Sequence, residues 1–217
     1  SLKKDDLRTL NLDVLEKHFN RNLRALNSIN IKSVDLNKYK ENHCKFPYLL
    51  FSFYFSGSYF GEIQAKQIDS LRYAIDAVDQ KYRNILLSCL MYACYQTVSS
   101  VGSHFAQPKI VKKKNEAEIE KKRNQDVKKF FLLKLQEIEK SLYVDRKKNL
   151  VFQADFKNLL SPENKKTYNT LKNVSVTYID PPYTIDHYSR FYHILNTLTL
   201  YDYPEKNGKG LYREDRY

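Results

Sequence analysis

The chain has no tryptophan, one methionine, five glycines, six prolines and three cysteines in 217 residues. The cysteines Cys44, Cys89 and Cys94 are odd in number and show no C-x-x-C spacing, which argues against a disulfide framework or a zinc site. No His/Cys/Asp cluster has metal-ligand spacing, so no metal is expected. No apolar run approaches the roughly 20 residues needed to span a bilayer, and no signal peptide is present. A reduced, cytoplasmic chain with no membrane partner is the expectation. Gly208-Lys209-Gly210 has no preceding strand and following helix, so it is not a phosphate loop of a nucleotide hydrolase.

What the chain has in quantity is positive charge and tyrosine. Thirty-seven Lys and Arg against 25 Asp and Glu leave a formal net charge of +12. Such a surplus favours polyanionic partners, because cations that neutralise phosphates release condensed counterions. The 18 tyrosines suit interfaces and base stacking, and they equally fit a codon bias. Hydrophobic residues make up 42%, enough for a core and too many for wholesale disorder. The length fits one sizeable domain.

Residues 12–28 place Leu12, Leu15, Phe19, Leu23 and Leu26 on one helical stripe. Residues 46–60 are aromatic without helical order and break at Ser56-Gly57-Ser58. From 61 to 82, Ile63, Ile68, Leu71, Ile75 and Val78 return to helical spacing, and a second, all-round apolar helix covers about 83–98. Cys89 and Cys94 fall there as small core residues. Residues 101–108 read as an ordered turn, in which His104 is a turn residue rather than a catalyst. A charged stretch, 109–123, then opens a helix running on to about Leu142, with Val127, Phe131, Leu135, Ile138 and Leu142 on its face. Its lysines are either a solvated face or a strip along a DNA backbone.

After Asn149 the texture changes. Apolar runs at 150–154 and 174–179 end in Asp155 and Asp180, with a modest helix at 162–172 between them. Strand, helix, strand with an acid at each carboxyl end is the pattern of a parallel α/β sheet, whose ligands bind beyond those ends. The fold expected is therefore α/β: a partial Rossmann-like sheet carrying a large helical insertion. The mostly helical part covers 1–149 and the catalytic α/β portion 150–217.

Asp180-Pro181-Pro182-Tyr183 carries the chemistry. Two prolines after a strand stop it, stiffen the loop and remove backbone donors. A carboxylate before them and a flat ring after them make a cluster of acceptors beside a stacking surface. That suits a planar group bearing an amine. An exocyclic aromatic amine is a poor nucleophile until its N–H bonds are accepted and its lone pair returns to nitrogen, an effect of electrostatic preorganisation and in-line positioning.

A strand followed by these four residues resembles the motif of amino-methyltransferases that use S-adenosylmethionine. Its aspartate form resembles the DNA adenine branch. Residues 178–216, the block 58–76 and the segment 102–109 are similar to Dam-like adenine methyltransferases of restriction–modification systems, so the resemblance runs from about residue 50 onward. It implies that Asp180 and the Pro181 carbonyl hold the adenine amine, and that Pro182 shapes the loop. It also implies that Tyr183 stacks on a base flipped from double-stranded DNA. Asp155 resembles the acid lining the cofactor's adenine, and Asp180 borders the same site. Residues 50–145 correspond to the target-recognition part.

Ser189 and Arg190 on the next helix are candidate DNA contacts, and so are Lys209 and Arg213 in a loop that resembles one closing over substrate. A cognate restriction endonuclease is an implied partner. The family's F-x-G-x-G cofactor loop has no counterpart: Phe55-Ser56-Gly57-Ser58-Tyr59 lacks the second glycine and reads as a turn. Both ends of the sequence read as cut. The expectation is an S-adenosylmethionine-dependent adenine methyltransferase or a fragment of one. The alternative is a DNA-binding module or subunit without complete catalysis.

Overall fold

Asn11 begins the first helix by accepting the Asp13 and Val14 N–H groups on its side-chain oxygen, at 3.0 and 3.1 Å. This asparagine N-cap satisfies donors that have no partner inside the helix. The structure, a computed structural model, describes residues 7, 9–141, 155–159, 161, 163, 169, 174–180 and 188–215. Helix α1 covers Leu12–Ser28. Short helices α2 (Asn37–Glu41) and α3 (Leu50–Tyr54) follow. Two long helices come next, α4 (Glu62–Ala77) and α5 (Arg83–Thr97). Then come α6 (Glu116–Arg123), α7 (Val127–Ser141), the one-turn α8 (Phe156–Leu159) and α9 (Tyr188–Leu200). An antiparallel hairpin, β1 (Lys206–Asn207) and β2 (Tyr212–Arg213), pairs Lys206 with Arg213 and Asn207 with Tyr212.

The chain divides into two compact units: residues 144–185, grouped with Ser1, and residues 2–143 together with 186–217. The segment after 186 joins the helical body, because α9 and the hairpin bury their apolar residues there.

In that body α4 is the central element, with α1, α3, α5 and α7 packed on it. Leu15, Phe19 and Leu26 of α1 are buried, as are Ile68, Leu71 and Ile75 of α4. Leu12 and Ile63 depart from the expected stripes. Ile63 is 68% exposed, because it lies in the first turn of α4, beyond the neighbours that cover the later turns. Helix α5 is buried along most of its length, and Cys89 and Cys94 are free thiols inside it. Burial pushes both thiols up from their ordinary range.

The single helix expected from 109 to about 142 is two helices, α6 and α7, parted at residues 124–126. Two glutamines of α4 hold the break. Gln64 Nε2 donates to the Lys122 and Gln125 carbonyls at 2.9 and 3.0 Å. Gln67 Oε1 accepts the Val127 N–H at 2.9 Å and its Nε2 donates to Asp126. Asp126 also accepts the Lys129 N–H at 3.2 Å, the geometry of a helix start.

The expected strand at 174–179 is non-helical backbone with no ladder partner among the described residues, and its apolar side chains Val176, Tyr178 and Ile179 are exposed. A strand requires a paired neighbour, and the expected neighbour at 150–154 lies outside the described residues. So does most of the expected helix at 162–172. Among the described residues the protein is mostly helical, and its sheet is the two-stranded hairpin.

Candidate functional site

In the unit 144–185, Asp155 is exposed and its Oδ1 accepts the Lys157 N–H at 2.8 Å. That bond is of the kind that caps a helix start, here α8. Asp180 ends the non-helical run 176–180 and is exposed. Pro181, Pro182 and Tyr183 lie outside the described residues.

In the helical body, three segments meet around the Phe105 and Ala106 carbonyls. His193 of α9, fully buried, places Nε2 2.8 Å from the Phe105 oxygen. Tyr59 places its hydroxyl 2.8 Å from the same oxygen and 2.9 Å from the Gly210 carbonyl. The Tyr212 hydroxyl donates to the Ala106 carbonyl at 2.5 Å. Residues 101–108 are shaped for this: Gly102 has φ +71°, and a Cβ there would lie 2.8 Å from His104 Nε2. His104 Nδ1 accepts the Ala106 N–H at 3.3 Å, and its ring meets Phe191 edge-on. It is a turn residue.

Ser189 and Arg190 sit at the start of α9. Arg190 is exposed, its Nε donating to the Tyr212 hydroxyl at 3.1 Å and its guanidinium lying over that ring. Ser189 Oγ is buried and forms no hydrogen bond. Lys209 is exposed at the hairpin tip, between Gly208 (φ +67°) and the buried Gly210. Arg213 stands apart from the other three. Its side chain is 4% exposed and forks onto Asp202 with two bonds of 2.7 Å. It also meets Asp215 at 3.0 and 2.8 Å. Those carboxylates hold its charge well above the ordinary guanidinium range. Its guanidinium is committed to the hairpin rather than presented outward.

The structure thus brings Arg190 to the hairpin that carries Lys209. Tyr212, which joins them, was not singled out in the sequence. Nothing local to Gly210-Leu211-Tyr212 signals that its hydroxyl would reach Ala106.

All five glycines have places in the helical body. Gly57 turns the chain at φ +73°, Gly61 packs on Arg123, Gly102 sits against His104, and Gly208 and Gly210 lie beside Tyr212. None stands between a strand and a helix. The residues present therefore do not compose a methyl-donor loop. Among the described residues no group of His, Cys, Asp or Glu is arranged to hold a metal, and no helix is long and apolar enough to cross a membrane.

No protein-family model matches the chain, and no solved structure matches it. Its curated relatives are modification methylases and type II methyltransferases. Modification methylase LlaI of Lactococcus lactis subsp. lactis is 48% identical over 48 residues, 21% of this chain and 8% of the methylase. Type II methyltransferase M.FokI of Planomicrobium okeanokoites is 47% identical over 51 residues, 20% of this chain and 8% of that protein. Type II methyltransferase M.NlaIII of Neisseria lactamica is 27% identical over 180 residues, 76% of this chain and 46% of that protein. The chain thus spans less than half the length of each of these relatives.

Proposed function

We propose that the chain is the amine-holding and DNA-reading part of an S-adenosylmethionine-dependent, adenine-specific DNA methyltransferase. The observation that carries this is Asp180-Pro181-Pro182-Tyr183 in a chain whose relatives are type II methyltransferases. S-adenosylmethionine supplies an electrophilic methyl group when bound. In this reading Asp180 and the Pro181 carbonyl accept the two N–H bonds of the adenine amine and raise its nucleophilicity. Pro182 stiffens the loop, and Tyr183 stacks on the flipped base. Asp155 is the acid assigned to the cofactor's adenine. The exposed Arg190 and Lys209 face a phosphate backbone, and Ser189 precedes Arg190 at the start of α9. Arg213 shapes the hairpin that presents Lys209.

A second reading is supported by the glycines: with each one used inside the helical body, the chain reads DNA and depends on residues outside it for the methyl donor. The test is methyl transfer to adenine-containing duplexes, with the chain alone and in a polypeptide that also supplies an F-x-G-x-G loop. Asp180→Ala abolishes transfer wherever the native chain supports it. Transfer that survives the change removes the proposal. Specific duplex binding without transfer, even with the loop supplied, favours the second reading.

A further inference from the structure

Tyr212 sits on β2, yet its side chain serves two other segments. Its hydroxyl donates to the Ala106 carbonyl at 2.5 Å and accepts the Arg190 Nε–H at 3.1 Å. One oxygen therefore links the hairpin to the 101–108 turn and to the start of α9. The ring is enclosed as well. It meets the His193 ring edge-on at 5.0 Å, and that histidine is fully buried and set by the Phe105 carbonyl at 2.8 Å. Gly210 also comes so close that a Cβ there would lie 2.2 Å from Tyr212 Cζ and 2.5 Å from its hydroxyl oxygen. A close-packed ring whose hydroxyl is engaged on both sides holds one rotamer.

Arg190 lies in the first turn of α9 and is exposed. An exposed arginine ordinarily samples many rotamers, and a partner that binds it must first order it. Here order is supplied in advance. The Tyr212 hydroxyl fixes Nε, and the guanidinium carbon stands 5.8 Å from the centre of the same ring. Two contacts of different kinds, made by one neighbour, set where the group lies and which edge it turns. Because the hydroxyl takes the donor nearest the stem, it orients the guanidinium without using the terminal Nη pair. That pair is the edge which forks end-on onto a phosphate.

We propose that Tyr212 is a positioning residue for DNA binding, which sets the Arg190 guanidinium for a backbone phosphate before the duplex arrives. It acts through Arg190, whose ordering is completed on folding instead of on binding. This rests on the reading of Arg190 as a phosphate contact given above.

The experiment is a double-mutant cycle on the whole chain. Native protein, Tyr212→Phe, Arg190→Ala and the double variant are each titrated with a short mixed-sequence DNA duplex, well below their melting temperatures. Tyr212→Phe keeps the ring and removes only the hydroxyl, so the protein should still fold and should melt somewhat lower through loss of the Ala106 bond. Arg190→Ala should bind the duplex about tenfold more weakly. It should also lower the slope of log affinity against log salt by about 0.9. Tyr212→Phe, with the charge still present, should bind about three- to tenfold more weakly, the equivalent of freeing one long side chain that binding must order again. In the Arg190→Ala background the same change should cost no further affinity. By nuclear magnetic resonance, the Arg190 Nε–H should exchange with water faster in Tyr212→Phe than in the native protein.

A loss from Tyr212→Phe that is equal in both backgrounds marks the tyrosine as structural and overturns the proposal. Unchanged exchange at the Arg190 Nε–H overturns it too. If Arg190→Ala binds the duplex as the native chain does, Arg190 is no phosphate contact, and the proposal falls while the DNA reading of the chain stands. A native chain that binds no duplex removes that reading and the proposal with it.

Discussion

The Asp69 carboxylate and the Tyr201 hydroxyl meet at 2.5 Å, fully inside the helical body, across 132 residues of sequence. Asp69 also accepts the Phe51 and Ser52 N–H groups at 2.8 Å each. The Tyr201 oxygen in turn accepts the Leu50 N–H at 3.2 Å. The pair therefore ties α3, α4 and the residue after α9 together. Tyr201→Phe removes a donor from a buried carboxylate and an acceptor from a buried amide at once. The expected loss is about 1–3 kcal/mol, read from urea unfolding. A midpoint that does not move would show that the contact carries no stability.

The same carboxylate gives a pH dependence. Burial, outweighing its hydrogen bonds, pushes Asp69 from an ordinary 3.8 up to about 6. Between those values the folded protein holds more protons than the unfolded chain, so this group's contribution to stability falls as pH rises through the window. It is fully present below about 4 and lost above about 6. The unfolding free energy of the native protein minus that of Asp69→Asn isolates this residue from the other titrations. That difference should shrink from pH 4 to pH 7, by no more than about 3 kcal/mol. A difference that is flat or grows with pH would refute the assignment.

Arg213 and Lys209 share one hairpin and should separate cleanly in experiment. Arg213 is buried between Asp202 and Asp215, and a lysine cannot reproduce its fork. Arg213→Lys should lower stability by about 1–3 kcal/mol and leave the salt slope of duplex binding unchanged. Lys209→Ala, at an exposed tip, should do the reverse, lowering the slope by about 0.9. Equal slopes for native and Lys209→Ala would remove Lys209 from the DNA surface.

Gly61 is required by a close approach. A Cβ there would lie 2.6 Å from the Arg123 carbonyl oxygen and 3.0 Å from Arg123 Cβ, both on the last residue of α6. Arg123 is pinned in turn, its guanidinium donating to the Gly57 and Ser58 carbonyls at 2.9 and 2.6 Å. The backbone cannot withdraw without breaking those bonds. Gly61→Ala should cost about 1–3 kcal/mol, and a protein as stable as the native one would mean that α6 gives way easily.

The helices α1, α4 and α5 were legible because buried leucines and isoleucines at helical spacing leave a periodic trace. The break between α6 and α7 was written only in Asn124-Gln125-Asp126, where Asp126 is a cap signal inside an otherwise helical pattern. What fixes the break is Gln64 and Gln67, about 60 residues away, and no local pattern reports such partners. The same holds for Arg213. A basic residue near a glycine turn reads as a surface cation, and its burial depends on Asp202 and Asp215 folding back on it. The reading of Asp180-Pro181-Pro182-Tyr183 has a different basis, since it rests on four consecutive residues.

Asp180 is the position where function and stability should come apart most sharply. It is exposed. Asp180→Asn replaces an acceptor with a group that also donates, so one N–H of an incoming amine meets another N–H. Ground-state binding of the duplex, spread over many phosphates, should hardly change. The loss should fall on the transition state, where nitrogen must give up its conjugation. Methyl transfer, assayed in a polypeptide that supplies the donor loop, should drop about 100- to 1000-fold with an unchanged melting temperature. A parallel fall in stability would mark the residue as structural, and full activity would move the amine-holding role to another acid.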